Sequence, residues 1–207
     1  MFHRFIKWRQ ERINAINRER LINTTPTLIC SNCTGGILYH WLGLQFRSPF
    51  INLYMSNNDF LVAMENFDRF FATEIIEDTN AGKIYPVGIG YLGVRVHFMH
   101  YPDFETARAK WNERKQRIDK SNMAIFLTNL QPSVMRGGSD VIQRFNSLHF
   151  KNKLIFSGEK IDAPNIIYLK GYKKVQYKKN IYATQSIFGS RYIDQFDFVD
   201  YINRLKE

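Results

Sequence analysis

Cys33 is the residue whose surroundings in the sequence best suit a nucleophile. It sits in the small, polar run Ser31-Asn32-Cys33-Thr34-Gly35-Gly36, between the apolar stretch Thr27-Leu28-Ile29-Cys30 and a further apolar stretch over residues 37–42. A strand that runs into a helix leaves backbone N–H groups unpaired and partly positive, which attracts anions and stabilises oxyanions. A thiol in that position is expected to lean toward its thiolate form and so to be activated. Asn32 and the N–H groups of Gly35 and Gly36 are the expected oxyanion donors, and Gly35 and Gly36 also allow close backbone approach. Ser31 is the alternative nucleophile if the thiol is structural. The plainer reading is that Ser, Asn and Gly are common caps and turn-formers, and that cysteine is often a small buried hydrophobe.

A nucleophilic thiol needs a base within hydrogen-bond reach, most often histidine. The chain has five histidines. His3 and His149 have no obvious relation to the turn, and His40 lies about two helical turns beyond Cys33. His97 and His100 fall in opposite phases of an extended segment, so a regular strand would point them to opposite faces. His100, nearest the strand end, is the expected base, with Asp103 as an orienting carboxylate; a hydrogen-bonded structural histidine is the plainer alternative. Arg114 and Arg117, three residues apart on a helix, suit a clamp on a phosphate or carboxylate, and equally a solvated charged face.

Cys30 and Cys33 are the only cysteines. Their Cys-x-x-Cys spacing opens the question of redox chemistry, but such pairs normally both sit at the helix start, whereas Cys30 closes the preceding strand. Two cysteines build no disulfide framework, and no Cys/His cluster with zinc spacing is present, so no metal is expected. Residues 172–179 interleave tyrosines and lysines as single-strand nucleic-acid binders do, without any RNA-module or DNA-binding signature, and read as an exposed basic loop.

The elements that must position these residues alternate between strand and helix. Residues 2–22 read as a basic amphipathic helix, with Phe2, Phe5, Ile6, Ile13 and Ile16 near one face. That helix either docks on the domain through this stripe or rests on an anionic membrane surface. Short strands are expected at 27–30, 123–127, 154–156 and 166–169, with extended pieces at 50–55 and 85–101. Asp59, Asp103 and Asp140 are the expected helix caps. Apolar strands without alternation favour parallel pairing covered on both faces. The expected fold is therefore a mixed, largely parallel sheet in a three-layer, Rossmann-like α/β domain over residues 25–207, preceded by the helix at 1–24.

With 44% apolar and 15% aromatic residues among 207, the chain can bury a large core and is not a disordered protein. The +10 formal charge favours an anionic partner. No apolar run is long enough for a membrane span and no signal-peptide pattern opens the chain, so a cytoplasmic location is expected, with peripheral contact at the inner membrane face as an option.

Several segments resemble the bacterial domain-of-unknown-function family 1919, often labelled exopolysaccharide biosynthesis protein. The matching residues are Ser31-Asn32-Cys33 with Gly35-Gly36, Tyr39, Leu42-Gly43-Leu44, Ser48-Pro49, Tyr85-Pro86-Val87-Gly88, and His97-Phe98 with His100-Tyr101. Trp111, Arg114, Arg117, Asn122, Phe145, Asn152-Lys153, Lys170-Gly171 and Asp194 with Phe196 to Val199 agree as well. The likeness runs from about residue 25 to the C-terminus; where the family tends to carry two asparagines before the cysteine, this chain has Ser31-Asn32. The resemblance implies a setting in assembly or decoration of capsule, exopolysaccharide or lipopolysaccharide. Within it, fold-level analogy ranks sugar O-acyl transfer first, with coenzyme A or acetyl-coenzyme A as donor and a sugar or lipid-linked saccharide as acceptor. Glycosyl or sugar-phosphate transfer and a non-catalytic accessory role are the alternatives.

Overall fold

The computed structural model describes residues 2–128, 139–174 and 180–206. Its centre is a sheet of four parallel strands: β1 (Thr27–Cys30), β5 (Met123–Leu127), β6 (Lys153–Ser157) and β7 (Ile166–Tyr168), in that spatial order. A separate three-stranded antiparallel sheet holds β2 (Ile76–Glu77), β3 (Val87–Ile89) and β4 (Arg95–His97). The expected antiparallel pairing around 85–101 is thus present, in a small sheet of its own. Seven α-helices occur among the described residues: α1 (Phe2–Arg20), α2 (Thr34–Leu42), α3 (Asn57–Glu65), α4 (Phe67–Ala72), α5 (Phe104–Lys115), α6 (Ser139–Ser147) and α7 (Phe198–Asn203).

The parallel strands are apolar throughout because both their faces are covered. Ile29, Ile125, Leu127 and Ile155 face α3, α4, α5 and α6, together with Val96 and Phe98 of the antiparallel unit. Leu28, Cys30, Ala124, Phe126, Leu154 and Phe156 face α2, α7 and the C-terminal segment. Trp111 of α5 anchors the first layer, with Phe50, Phe70, Phe71 and Phe98 rings at 5.6 to 6.1 Å from it. The three-layer α/β architecture is as expected.

Local details differ where side-chain chemistry competes with pattern. Ser56, not Asp59, caps α3, accepting a hydrogen bond from the Asp59 N–H at 3.1 Å, while Asp59 stands in the first turn. Asp140 lies inside α6 rather than before it. Residues 50–55 are irregular rather than extended, because Asn52 takes a positive φ of 60° and only Tyr54 bridges to His97. Tyr172 is buried in the second core layer, so it is not part of an exposed basic loop; residues 175–179 of that stretch lie outside the described residues.

Helix α1 docks differently from the expected stripe. Phe5 and Ile16 point outward, while Asn14 and Asn17 are buried. The fixing group is Arg191, 1% exposed, which pairs with Asp194 at 2.8 Å, donates to Asn14 Oδ1 at 2.8 Å and stacks 3.5 Å from the Trp41 ring centroid. One guanidinium thereby ties α1 to α2 and to the C-terminal segment. Removing one partner of a buried ion pair leaves an uncompensated charge. Asp194→Ala is accordingly expected to cost about 3–5 kcal/mol of stability, read as a lower urea midpoint.

Candidate functional site

The turn from Ser31 to Gly36 lies at the carboxyl end of β1, at the entry to α2, where open α/β sheets collect ligands. Its shape follows from close packing. A Cβ at Gly35 would stand 3.1 Å from Cys30 Sγ and 3.3 Å from the Leu28 carbonyl, and one at Gly36 would stand 3.3 Å from Ile51. Glycine at both positions lets α2 lie directly on β1 and on the segment around Ile51.

Most of the polar groups in the turn hold the turn itself. The buried Ser31 hydroxyl donates to the Thr128 carbonyl at 3.2 Å and accepts from the Thr128 N–H at 3.3 Å, clipping the ends of β1 and β5 together. Asn32 Oδ1 accepts from the Thr34 N–H at 3.0 Å and its hydroxyl at 2.7 Å, so this side chain caps the start of α2. Asn32 Nδ2 donates to Asn180 Oδ1 at 3.2 Å, and Asn180 Nδ2 donates to the Tyr182 hydroxyl at 2.6 Å. The Gly35 N–H is directed at the Cys30 sulfur, which is fully buried. Ser31 thus acts as a clip rather than a free nucleophile, and Asn32 as a cap with its amide turned to Asn180.

Cys33 is the member of the turn that stays partly accessible. Its thiol donates to the Leu53 carbonyl at 3.7 Å, and the Met55 N–H returns a hydrogen bond to the Ser31 carbonyl at 3.0 Å. Burial pushes the Cys33 thiol up from its ordinary value of 9.0. That direction is opposite to the activation expected from the helix N-terminus, and its main cause is the desolvation of the sulfur.

Around that sulfur stand groups the sequence did not single out. Tyr101 and Tyr182 both interact electrostatically with Cys33. The Tyr101 hydroxyl donates to the Ile51 carbonyl at 3.2 Å and accepts from Arg114 Nη1 at 2.6 Å. Arg114 also lies 5.1 Å from the Phe46 ring centroid. Burial pushes the Tyr101 phenol up, against the opposing pull of the Arg114 guanidinium. Arg117 is committed elsewhere, to Glu113 and to the Phe46 carbonyl at 2.9 Å. The two arginines therefore separate into one with a carboxylate partner and one, Arg114, without a carboxylate partner among the described residues.

The histidines do not join this cluster. His100 is exposed in the turn after β4, and no hydrogen bond or charge interaction links it to Cys33 among the described residues. Asp103, offered as its orienting carboxylate, instead caps α5 through the Thr106 N–H at 2.7 Å. His97 lies between the Tyr54 and Tyr85 rings at 5.7 and 5.9 Å, and burial holds its pKa below the ordinary value. A cleft of about 900 Å³ opens at the other end of the sheet, lined by Lys120 and Lys151 before β5 and β6. Two ion pairs, Arg144 with Glu65 and Lys120 with Asp68, lie along its walls between α3, α4 and α6.

Burial also pushes Cys30 and the phenols of Tyr39, Tyr172 and Tyr201 above their ordinary values of 9.0 and 10.0. The unfolded chain loses these protons first, so their contribution to stability is complete below about pH 9 and declines as pH rises beyond it. A urea midpoint that falls between about pH 8 and about pH 10.5 is the expected outcome, and an unchanged midpoint contradicts the burial described.

Two comparisons place the chain among its relatives. The family model described as Domain of unknown function (DUF1919) matches residues 4–203, reaching into α1 and so further than the motifs alone indicated. An uncharacterized protein of Haemophilus influenzae is 35% identical over 192 residues, spanning 92% of this chain and 90% of that protein.

Proposed function

The chain belongs to the DUF1919 family, and from that premise we propose that it serves surface-polysaccharide biosynthesis as a sugar O-acyltransferase working at Cys33. The observation that carries this reading is the convergence, at the carboxyl end of β1, of a partly accessible thiol, two tyrosine hydroxyls and an arginine with no carboxylate partner among the described residues. Tyrosine faces and hydroxyls suit a saccharide, and Arg114 suits the phosphate of a coenzyme A-type donor or of a lipid-linked sugar.

The protonated thiol defines the route. Cys33 Sγ bonds to the carbonyl carbon of the thioester substrate, the bond from that carbon to the donor sulfur breaks, and the Cys33 proton leaves on the donor sulfur. A sugar hydroxyl oxygen then bonds to the acyl carbon on Cys33, the bond from that carbon to Sγ breaks, and the hydroxyl proton passes to Sγ. Neither step needs an imidazole for its proton balance. His100 has no part in this version, and Arg117 serves to hold the loop carrying Phe46.

The test combines acetyl-coenzyme A with mass spectrometry of the Cys33 peptide. An acetyl adduct is expected on the native protein and absent from Cys33→Ala, with donor affinity roughly tenfold weaker in Arg114→Ala and uptake unchanged in His100→Ala. No adduct and no thermal shift with acetyl-coenzyme A would sink the acyl-transfer reading. The accessory-protein alternative is favoured by one observation, the use of Ser31 and Asn32 in holding the turn. It predicts that Cys33 can be replaced by alanine with no effect on polysaccharide output in cells.

A further inference from the structure

Large apolar side chains are exposed on two segments far apart in sequence. On α1, Phe5 and Trp8 are 44% and 54% exposed, with their rings 6.1 Å apart. In the turn at 186–190, Ile187 and Phe188 are 63% and 62% exposed. The two segments are locked side by side: Gln10 Nε2 donates to the Gly189 carbonyl at 3.1 Å and to Thr184 Oγ1 at 3.0 Å, and Arg9 Nε reaches the Phe188 carbonyl at 3.5 Å. Gly189 permits the contact, since a Cβ there would stand 3.1 Å from the Ile6 carbonyl.

The turn is itself rigidly built to present its tip. Its closing bonds run from the Gly189 N–H to the Ser186 carbonyl at 3.0 Å and between the Ser186 and Ser190 hydroxyls at 2.7 Å. A tight loop so braced would ordinarily carry polar residues at its apex. Here it carries isoleucine and phenylalanine. Apolar exposure concentrated in one place marks an interaction surface.

Charge identifies the occupant. Arg4, Lys7, Arg9 and Arg12 stand on the same stretch of α1, with Glu11 the sole acidic residue between positions 2 and 18, and the Arg12 guanidinium lies 5.9 Å from the Trp8 ring. Aromatic side chains interleaved with basic ones on one helix are the pattern of a segment lying in a lipid interface, where the rings enter the headgroup boundary and the cations meet anionic lipid. No helix among the described residues is long and apolar enough to cross a membrane, so this contact would be superficial. We infer that Phe5, Trp8, Ile187 and Phe188, rimmed by Arg4, Lys7, Arg9 and Arg12, form a docking surface for an anionic lipid bilayer. The inference does not depend on the reaction at Cys33.

Co-sedimentation of the full chain with vesicles tests it. Binding is expected to phosphatidylcholine vesicles containing phosphatidylglycerol, to weaken sharply in high salt, and to be much lower with phosphatidylcholine alone. The pair Trp8→Ser with Phe188→Ser, both on exposed positions, should weaken binding roughly tenfold or more. Arg4→Gln with Lys7→Gln should remove most of the preference for anionic lipid. Failure of the native chain to sediment with either vesicle would overturn the proposal. So would a concentration-dependent dimer in light scattering that Trp8→Ser with Phe188→Ser dissolves, because the patch would then belong to a second copy.

Discussion

The close approach of α2 to the end of β1 is the contact on which the rest of the molecule depends. Gly35 sits over Cys30 and Leu28, Gly36 sits over Ile51, and neither position has room for a side chain without displacing its neighbour. With the helix held there, Ser31 reaches Thr128 and Met55 reaches Ser31. The segment around Ile51 and Leu53 then offers its carbonyls to Tyr101 and Cys33.

That packing also sets the chemistry. An open, unsatisfied helix N-terminus would stabilise a thiolate, but here the nearby polar groups are largely engaged by the turn itself. Asn32 caps the helix, the Gly35 N–H faces a buried sulfur, and burial pushes the remaining thiol toward its protonated form. The Arg114 guanidinium, which has no carboxylate partner among the described residues, is reached through Tyr101 and not through the turn. The turn supplies position and Arg114 supplies the charge.

The sequence was informative where one physical demand governs a stretch. Residues 27–30 and 123–127 had to be apolar on both faces, and they pair as the neighbouring parallel strands β1 and β5, both covered on each side. Asp103, read as a cap at the start of a helix, is one, accepting from the Thr106 N–H. It was less informative where tertiary contacts override pattern. Phe5 and Ile16 had helical spacing suited to docking, yet α1 is held by Asn14 and by Arg191, some 177 residues away, which no periodicity reveals. Tyr101 was visible only as a family match, because its link to Arg114 and Ile51 exists only once three segments meet. Placing His100 beside Cys33 assumed that the strand end points at the turn; Tyr101 takes that position and His100 faces solvent.

Helix α1 and the 186–190 turn carry the exposed apolar and basic surface, while the carboxyl end of β1 carries the thiol. Arg191 connects them structurally, by bracing α1 against α2. The most direct measurement is a pH titration of the Cys33 β-carbon by NMR on cysteine-labelled protein, resolved from Cys30 by a Cys30→Ala variant. A titration midpoint shifted upward from the ordinary thiol value of 9.0 is the result this account predicts. A thiolate already present at neutral pH would contradict it, because the helix N-terminus would then be open to the sulfur after all.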